Sequence, residues 1–390
     1  MIQYPEFDIS LKNSNQDGYL VDASSSDSNQ LYLTGFDAPD PFITLYTPQE
    51  SRILVSELEY QRAIDQSQVD VVRKFSDYNF SKKVEKLGPI GARMGMISEF
   101  IFELLPNPNI LVPANFPVET ADSLRELNVR IKPDIYRNFS KVRSCKSTNE
   151  INYIKQVQKA TESAMLAAET ILQSSTIDGE FLYFEGDKLT SETVKEKIAL
   201  TLLKLNCHAD NTIVSSGKQG SDPHNSGSGP LMANSPIIID IFPRSNDSKY
   251  YADMTRTMVK GIPDSEVWDY YNVTLDAMEC AFALISPGTS CKTIHDKVCD
   301  IYESSGYPTL RSDPSTNVGF IHSTGHGVGL DIHESPRIGI GDSIIEPGNI
   351  ITIEPGLYDP LVGGMRIEDL ILVTKNGFEN LTNYSKKLLV

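Results

Sequence analysis

Four carboxylates lie in the middle of oily runs of sequence, and that placement restricts this chain more than anything else in it. Asp240 falls inside IIIDIF, Asp253 inside YYADMTRTMV, Glu354 inside IITIEPG and Glu368 inside MRIEDLILV. Each run has the β-branched and apolar character of a buried strand, so each acid is expected inside one. A lone carboxylate there costs several kcal/mol unless a cation, a hydrogen-bond network or a proton compensates it. One such residue is easily satisfied by backbone donors or an arginine. Four in one region repel each other, and with Asp240 and Asp253 expected to face each other across a hairpin through PRSNDSK, positive charge is needed between them.

The segment IHSTGHGVGLDIHESP adds His322, His326 and His333 within twelve residues. Gly325, Gly327 and Gly329 allow close backbone approach, so His326 between them can enter a crowded centre. A single histidine is commonly structural; a cluster beside four strand acids points to a site. Carboxylates with one imidazole suit manganese, cobalt, zinc or iron, and five ligands rich in carboxylates imply two divalent metal ions. Two ions about 3.5–4 Å apart share a water, lower its pKa and stabilise a tetrahedral oxyanion, which makes the reaction class metal-assisted hydrolysis.

The rest of the chain limits where such a site can sit. Its 390 residues exceed one typical domain, and 40% hydrophobic content allows each of two domains a core. Short strand-like runs LYLTGF, PFITLYTP and SRILVSEL, a helix over GARMGMISEFIFELL and a strand at NILVPAN predict an α/β domain with a mixed sheet over residues 1–143. Ser147 and Glu150 form a capping-box pattern that opens a long helix, with Ile151, Ile154, Val157, Ala160, Ala164 and Ala167 as its buried stripe. Thr190 is the expected cap of a second helix, and SEVWDYYNVTLDAMECAFALI reads as a third. Beyond residue 210, strands and Gly-rich turns predict an α+β domain over 144–390, with helices on one side of a largely antiparallel sheet.

Asp plus Glu outnumber Lys plus Arg by 52 to 35, a net charge of −17 that repels a phosphate backbone and excludes nucleic acid as an expected partner. MIQYPEFDISLKNSNQ lacks a signal-peptide pattern and no run of 18 apolar residues occurs, so no membrane association is expected. Five cysteines without CxxC spacing argue against a disulfide framework and a zinc ribbon, and place the chain in the cytoplasm. The Gly227–Gly229 cluster lacks the context of a nucleotide site. His208 and His295 read as ordinary residues on helical stretches away from the cluster.

The order Asp, Asp, His, Glu, Glu, with GHGVG, TIEPG and GGMRIED around the last three, resembles the M24 metallopeptidases of the creatinase and methionine aminopeptidase superfamily. The LYLTGF region is similar to the amino-terminal domain of creatinase, prolidase and aminopeptidase P, which points to the proline-specific branch. The resemblance implies a pita-bread catalytic domain after a creatinase-like α/β domain, and hydrolysis of the Xaa-Pro bond of dipeptides or short peptides, prolidase ahead of aminopeptidase P. It further implies that Asp240, Asp253, His326, Glu354 and Glu368 hold the two metals, with Glu368 and Asp253 bridging and Glu354 as general base. His333 would contact substrate and stabilise the intermediate, His322 and His224 would line the pocket and assist proton transfer, and Arg366 would meet a substrate carboxylate or orient its neighbours. A homodimer is expected on the same ground. The alternatives are a non-catalytic binding protein on the same fold and metal-free creatine hydrolysis; the filled ligand set speaks against both.

Overall fold

The computed structural model describes residues 3–390, which divide into two compact units, Met1–Arg143 and Ser144–Val390. In the first unit the helices are α1 (Pro5–Asn13), α2 (Ser28–Thr34), α3 (Tyr60–Gln66), α4 (Phe80–Phe102) and α5 (Val118–Glu126), with α6 (Asn138–Ser144) ending at its boundary. Its strands are β1 (Gly18–Ala23), β2 (Phe42–Tyr46), β3 (Ser51–Val55), β4 (Val71–Lys74), β5 (Asn109–Val112) and β6 (Arg130–Pro133), in spatial order β4-β3-β2-β1-β5-β6. β1, β2 and β3 pair antiparallel, while β3–β4, β1–β5 and β5–β6 pair parallel, so the sheet is mixed. Leu20, Ile43, Leu45 and Leu54 from the strands meet Ile97, Phe100 and Ile101 of α4 in its core.

LYLTGF departs from expectation: it is not a strand but the body of α2. The Asp27 carboxylate accepts from the backbone N–H of Asn29 and Gln30 at 2.9 and 3.0 Å, and Gly35, at φ 60°, closes the helix onto Leu31. An aspartate before the segment and a glycine after it are the start and stop signals of a helix, and they outweigh the strand-like look of Leu, Tyr and Leu between them.

In the second unit α7 (Thr148–Ser174) opens on the Ser147–Glu150 capping box, and its buried face continues from Ala164 to Ala168 rather than Ala167. A small meander β7 (Thr176–Asp178), β8 (Phe181–Phe184), β9 (Asp187–Lys188) leads to α8 (Ser191–Lys204), capped by Thr190. β10 (Cys207–His208) pairs with β13 (Arg244–Ser245). β11 (Ile213–Ser216), β12 (Ile237–Ile241) and β14 (Met254–Met258) form an antiparallel sheet with β12 central. After α9 (Ser265–Phe282) and α10 (Cys291–Ser304) come β15 (Gly325–Gly327), β16 (Glu334–Ile338), β17 (Ile350–Ile353), β18 (Gly356–Asp359), β19 (Gly363–Arg366), β20 (Asp369–Thr374) and β21 (Gly377–Asn380). β16-β15-β17-β20-β21 make a second antiparallel sheet, and β18–β19 a separate hairpin. The expected single sheet is therefore several short ones.

The break between β19 and β20 shows why. Residues up to Arg366 pair with β18 and those from Asp369 with β17, so Ile367 and Glu368 belong to neither ladder. The backbone N–H of Glu368 donates instead to Thr255 O of β14 at 3.1 Å, which joins the two sheets at that point. Val273, Ala277, Ile294 and Val298 of α9 and α10 pack on Ile351, Ile353, Met365 and Ile371 to form the core behind it. Among the described residues no helix is long and apolar enough to cross a membrane.

Candidate metal centre

Of the four acids, only Asp240 lies within a strand; Asp253 precedes β14, Glu354 follows β17, and Glu368 sits in the β19–β20 break. The expectation of four mid-strand acids is corrected by this, and the reason is steric. A residue just outside a ladder can turn its side chain toward the gap between sheets, whereas a mid-strand residue points wherever the pleat dictates. Asp240 opposes Thr255 in the β12–β14 ladder, so the two aspartates are offset along the hairpin rather than directly opposed.

Asp240, Asp253, His326 and Glu368 are buried, with Glu354 partly so. One ligand atom each from Asp253, His326 and Glu368 lies within 4.8 Å of the others. His326 Nε2 is 3.7 Å from Asp253 Oδ2 and 3.5 Å from Glu354 Oε1. Asp240 Oδ2 accepts from Arg366 Nη2 at 2.7 Å, and Glu368 Oε2 accepts from the Thr255 hydroxyl at 2.7 Å. Asp240 Oδ1 and Asp253 Oδ1 are buried with no hydrogen-bond partner among the described residues.

These orphaned oxygens and the state of His326 test whether the site fits metal ions. His326 Nδ1 faces the Gly327 carbonyl at 3.1 Å; a carbonyl only accepts, so the proton is on Nδ1 and the Nε2 lone pair points at two carboxylates. Burial and the neighbouring His333 hold His326 down to about 3, so the ring stays neutral and does not compensate them. Without a cation, burial pushes Asp253 and Glu368 well above the carboxylate range, each raised further by its acidic neighbours. Burial also brings Glu354 up to about 7. Four acids with one bonded guanidinium, Arg366 on Asp240, and a lone pair aimed among them make the donor set of a hard to borderline divalent cation.

Around this centre the histidines divide. His322 is tied away from the acids: Nδ1 donates to Ser323 O at 2.7 Å and Nε2 accepts from the Tyr358 hydroxyl at 3.0 Å. Tyr358 in turn accepts from Arg366 Nη1 at 2.8 Å, so His322, Tyr358, Arg366 and Asp240 are linked in one network in which Arg366 donates both ways, to Tyr358 and to Asp240. His333 is exposed and meets His326 edge to face at 4.3 Å between ring centroids. His224 is exposed on its loop, near enough to bear electrostatically on both His322 and His333. Every guanidinium nitrogen of Arg366 is engaged, on Thr255, Tyr358, Pro223 and Asp240, which favours its orienting role.

Three contacts were not legible in the sequence. Tyr358 and Thr255 look like ordinary strand residues, and nothing local marks them. His295 is helical as expected, but not remote: its Nδ1 lies 2.9 Å from the hydroxyl of Thr324, whose carbonyl accepts from Glu354 N at 2.8 Å. His208 lies in strand β10, not a helix, and contacts Asn246.

Comparison with known proteins gives a consistent family. The model of metallopeptidase family M24 matches residues 152–375. The chain is 29% identical over 363 residues to a Xaa-Pro dipeptidase of Pyrococcus horikoshii, covering 93% of this chain and 92% of that one. It is 30% identical over 366 residues to the Xaa-Pro dipeptidase of Pyrococcus furiosus, with the same coverages. The prolidase structure from Pyrococcus horikoshii superposes with a TM-score of 0.80 at 26% identity, over 98% of this chain and 99% of that one. The fold is accordingly an amino-terminal α/β domain followed by a pita-bread domain.

Proposed function

Because the chain belongs to metallopeptidase family M24, we propose that it hydrolyses the Xaa-Pro bond of dipeptides with two divalent metal ions held by Asp240, Asp253, His326, Glu354 and Glu368. The observation that carries the metal-dependent reading is the neutral His326, whose Nε2 lone pair faces Asp253 and Glu354 at 3.7 and 3.5 Å. The choice of dipeptides rests on near full-length likeness to two Xaa-Pro dipeptidases. A filled ligand set weighs against a non-catalytic role.

When bound, divalent cations supply the compensating charge and the Lewis acidity toward water and a carbonyl oxygen. The chain's own groups do the rest. Glu354 accepts the proton of the attacking water on its carboxylate and returns it to the proline nitrogen as the C–N bond breaks. His333 and His224, both exposed beside the centre, contact the substrate and donate to the developing oxyanion or the departing amine. His322, neutral and fixed through Tyr358, lines the pocket. Arg366 fixes the Asp240 carboxylate by a charge-assisted bond, so that Oδ1 is the oxygen left to ligate.

Metal removal by chelation and dialysis, followed by readdition of manganese, cobalt, zinc or iron, tests the reading. Turnover of an Xaa-Pro dipeptide should return with at least one metal, and calorimetric titration should give two equivalents per chain; inactivity with all four rejects the proposal. Running an Xaa-Pro dipeptide beside a longer peptide with the same first two residues separates dipeptidase from aminopeptidase P. The five free cysteines support a reducing, cytoplasmic setting, and sedimentation equilibrium tests the homodimer expected of the family.

A further inference from the structure

One buried ion pair beside the centre is not used by this mechanism. Lys146 Nζ and Glu334 Oε1 are bonded, with side chains 0% and 3% exposed. Desolvating such a pair cancels much of its attraction, so its contribution is better sought in what it holds in place than in net stability. The ammonium is fixed on a rigid backing. Lys146 N donates to Gly348 O at 2.9 Å, Lys146 Nζ to Ser144 O at 3.2 Å, and Asn349 Nδ2 to Ser144 O at 3.0 Å. Gly348 and Asn349 lead into β17, the strand that ends at Ile353, one residue before Glu354.

The other partner sits at the glycine-rich loop. Glu334 opens β16 opposite Gly327. Its carboxylate lies against Gly329, where a Cβ would stand 2.4 Å from Oε1 and 2.6 Å from Oε2. His333 is the residue before it, and the His333 ring meets His326 at 4.3 Å. One bond thus ties the entry to the strand that leads to Glu354 to the residue just after His333, whose carboxylate packs on the glycine-rich loop that carries His326.

We propose that Lys146 is a positioning residue for the peptidase reaction, holding His333 and the His326 loop in register with Glu354 through its ion pair with Glu334. The kinetic consequence rests on the function proposed above; the structural one does not. A displacement of about 1 Å in such groups is enough to cost up to a hundredfold in rate.

The test uses the full chain carrying Lys146→Met, Glu334→Gln or both. Each single change removes one half of a buried charge pair and should lower the melting temperature, whereas the double variant, which removes both charges, should recover most of it. Positioning predicts that the manganese-loaded double variant still shows kcat on an Xaa-Pro dipeptide about 10- to 100-fold below the unsubstituted chain, with KM little changed. It also predicts that the His333 imidazole carbon resonance of the metal-free protein, identified by its loss in His333→Gln, moves or broadens in Lys146→Met and in the double variant. Recovery of kcat together with melting temperature, or a His333 resonance unmoved in Lys146→Met, overturns the proposal. If the unsubstituted chain cleaves no Xaa-Pro dipeptide, the peptidase reading fails and the resonance alone decides on Lys146.

Discussion

Glu354 is anchored through its backbone: its N–H donates to Thr324 O at 2.8 Å, and the Thr324 hydroxyl lies 2.9 Å from His295 Nδ1. A carboxylate placed this firmly can serve as a proton carrier, and Glu354→Gln, isosteric but unable to take a proton, should lower kcat by about 10²- to 10⁴-fold in the metal-loaded protein while leaving the melting temperature of the chelated protein unchanged or higher. Steady-state kinetics beside thermal melts check both halves, and wild-type kcat would remove Glu354 from the mechanism. The chelated protein should also respond to pH in a definite sense. Asp253, Glu354 and Glu368 all bind protons more tightly folded than unfolded. Their contribution is therefore fully present below the ordinary carboxylate range and is lost as pH rises through the folded values, about 7 in the case of Glu354. Melting temperature in chelator should fall between pH 5 and 8, and saturating manganese should abolish the fall; a flat profile in chelator would mean the acids are not crowded as described. The four acids among the ligand candidates stand out in the sequence because an acid in an oily run contradicts its surroundings, and His326 stands out by its place between Gly325 and Gly327. Tyr358 and Thr255 contradict nothing and become visible only when β18, β19 and β14 bring them onto Arg366 and Glu368.

Elements supply that convergence through their ends and breaks. β15 carries His326 between two glycines, and each is required by a different close approach: a Cβ on Gly325 would fall 1.9 Å from Thr352 O, and one on Gly327 2.3 Å from Ser335 O. Backbone atoms cannot swing aside as side chains do. Gly327→Ala should accordingly push β15 from β16, destabilise by about 1–3 kcal/mol in denaturant titration and reduce turnover by moving His326. Gly341→Ala, where a Cβ would meet nothing within 4 Å, is the control and should change stability by no more than about 0.5 kcal/mol. Equal effects at the two positions would refute the close-approach argument. Element type was readable where caps and periodicity agreed, as in α7 with its Ser147–Glu150 box. It was misread at α2, where the alternating residues of LYLTGF suggested a strand while Asp27 and Gly35 marked a helix. The division of the second unit into several sheets was not readable at all, since it depends on partners more than a hundred residues apart, such as Glu368 N on Thr255 O.

At the scale of the molecule, the placement of the ligand set predicts where metal should be felt. All five candidate ligands belong to Ser144–Val390, which has its own apolar core, and none to Met1–Arg143, which has its own. A ligand that binds only the folded state stabilises by RT ln(1 + [L]/Kd), about 2.7 kcal/mol for one site at a hundredfold excess over Kd. That stabilisation raises the opening free energy of segments whose opening breaks the site, and leaves unchanged those that open without doing so. Hydrogen exchange read by mass spectrometry, with manganese against chelator, should therefore slow in peptides covering 237–241, 253–258, 325–328, 350–354 and 366–369, and remain the same across 18–23, 42–55 and 109–133. The contrast follows from the linkage relation and the position of the ligands alone, whichever peptide the protein cleaves. Protection spread evenly over both units would show that metal binds somewhere other than the five named side chains, or that the two cores open as one.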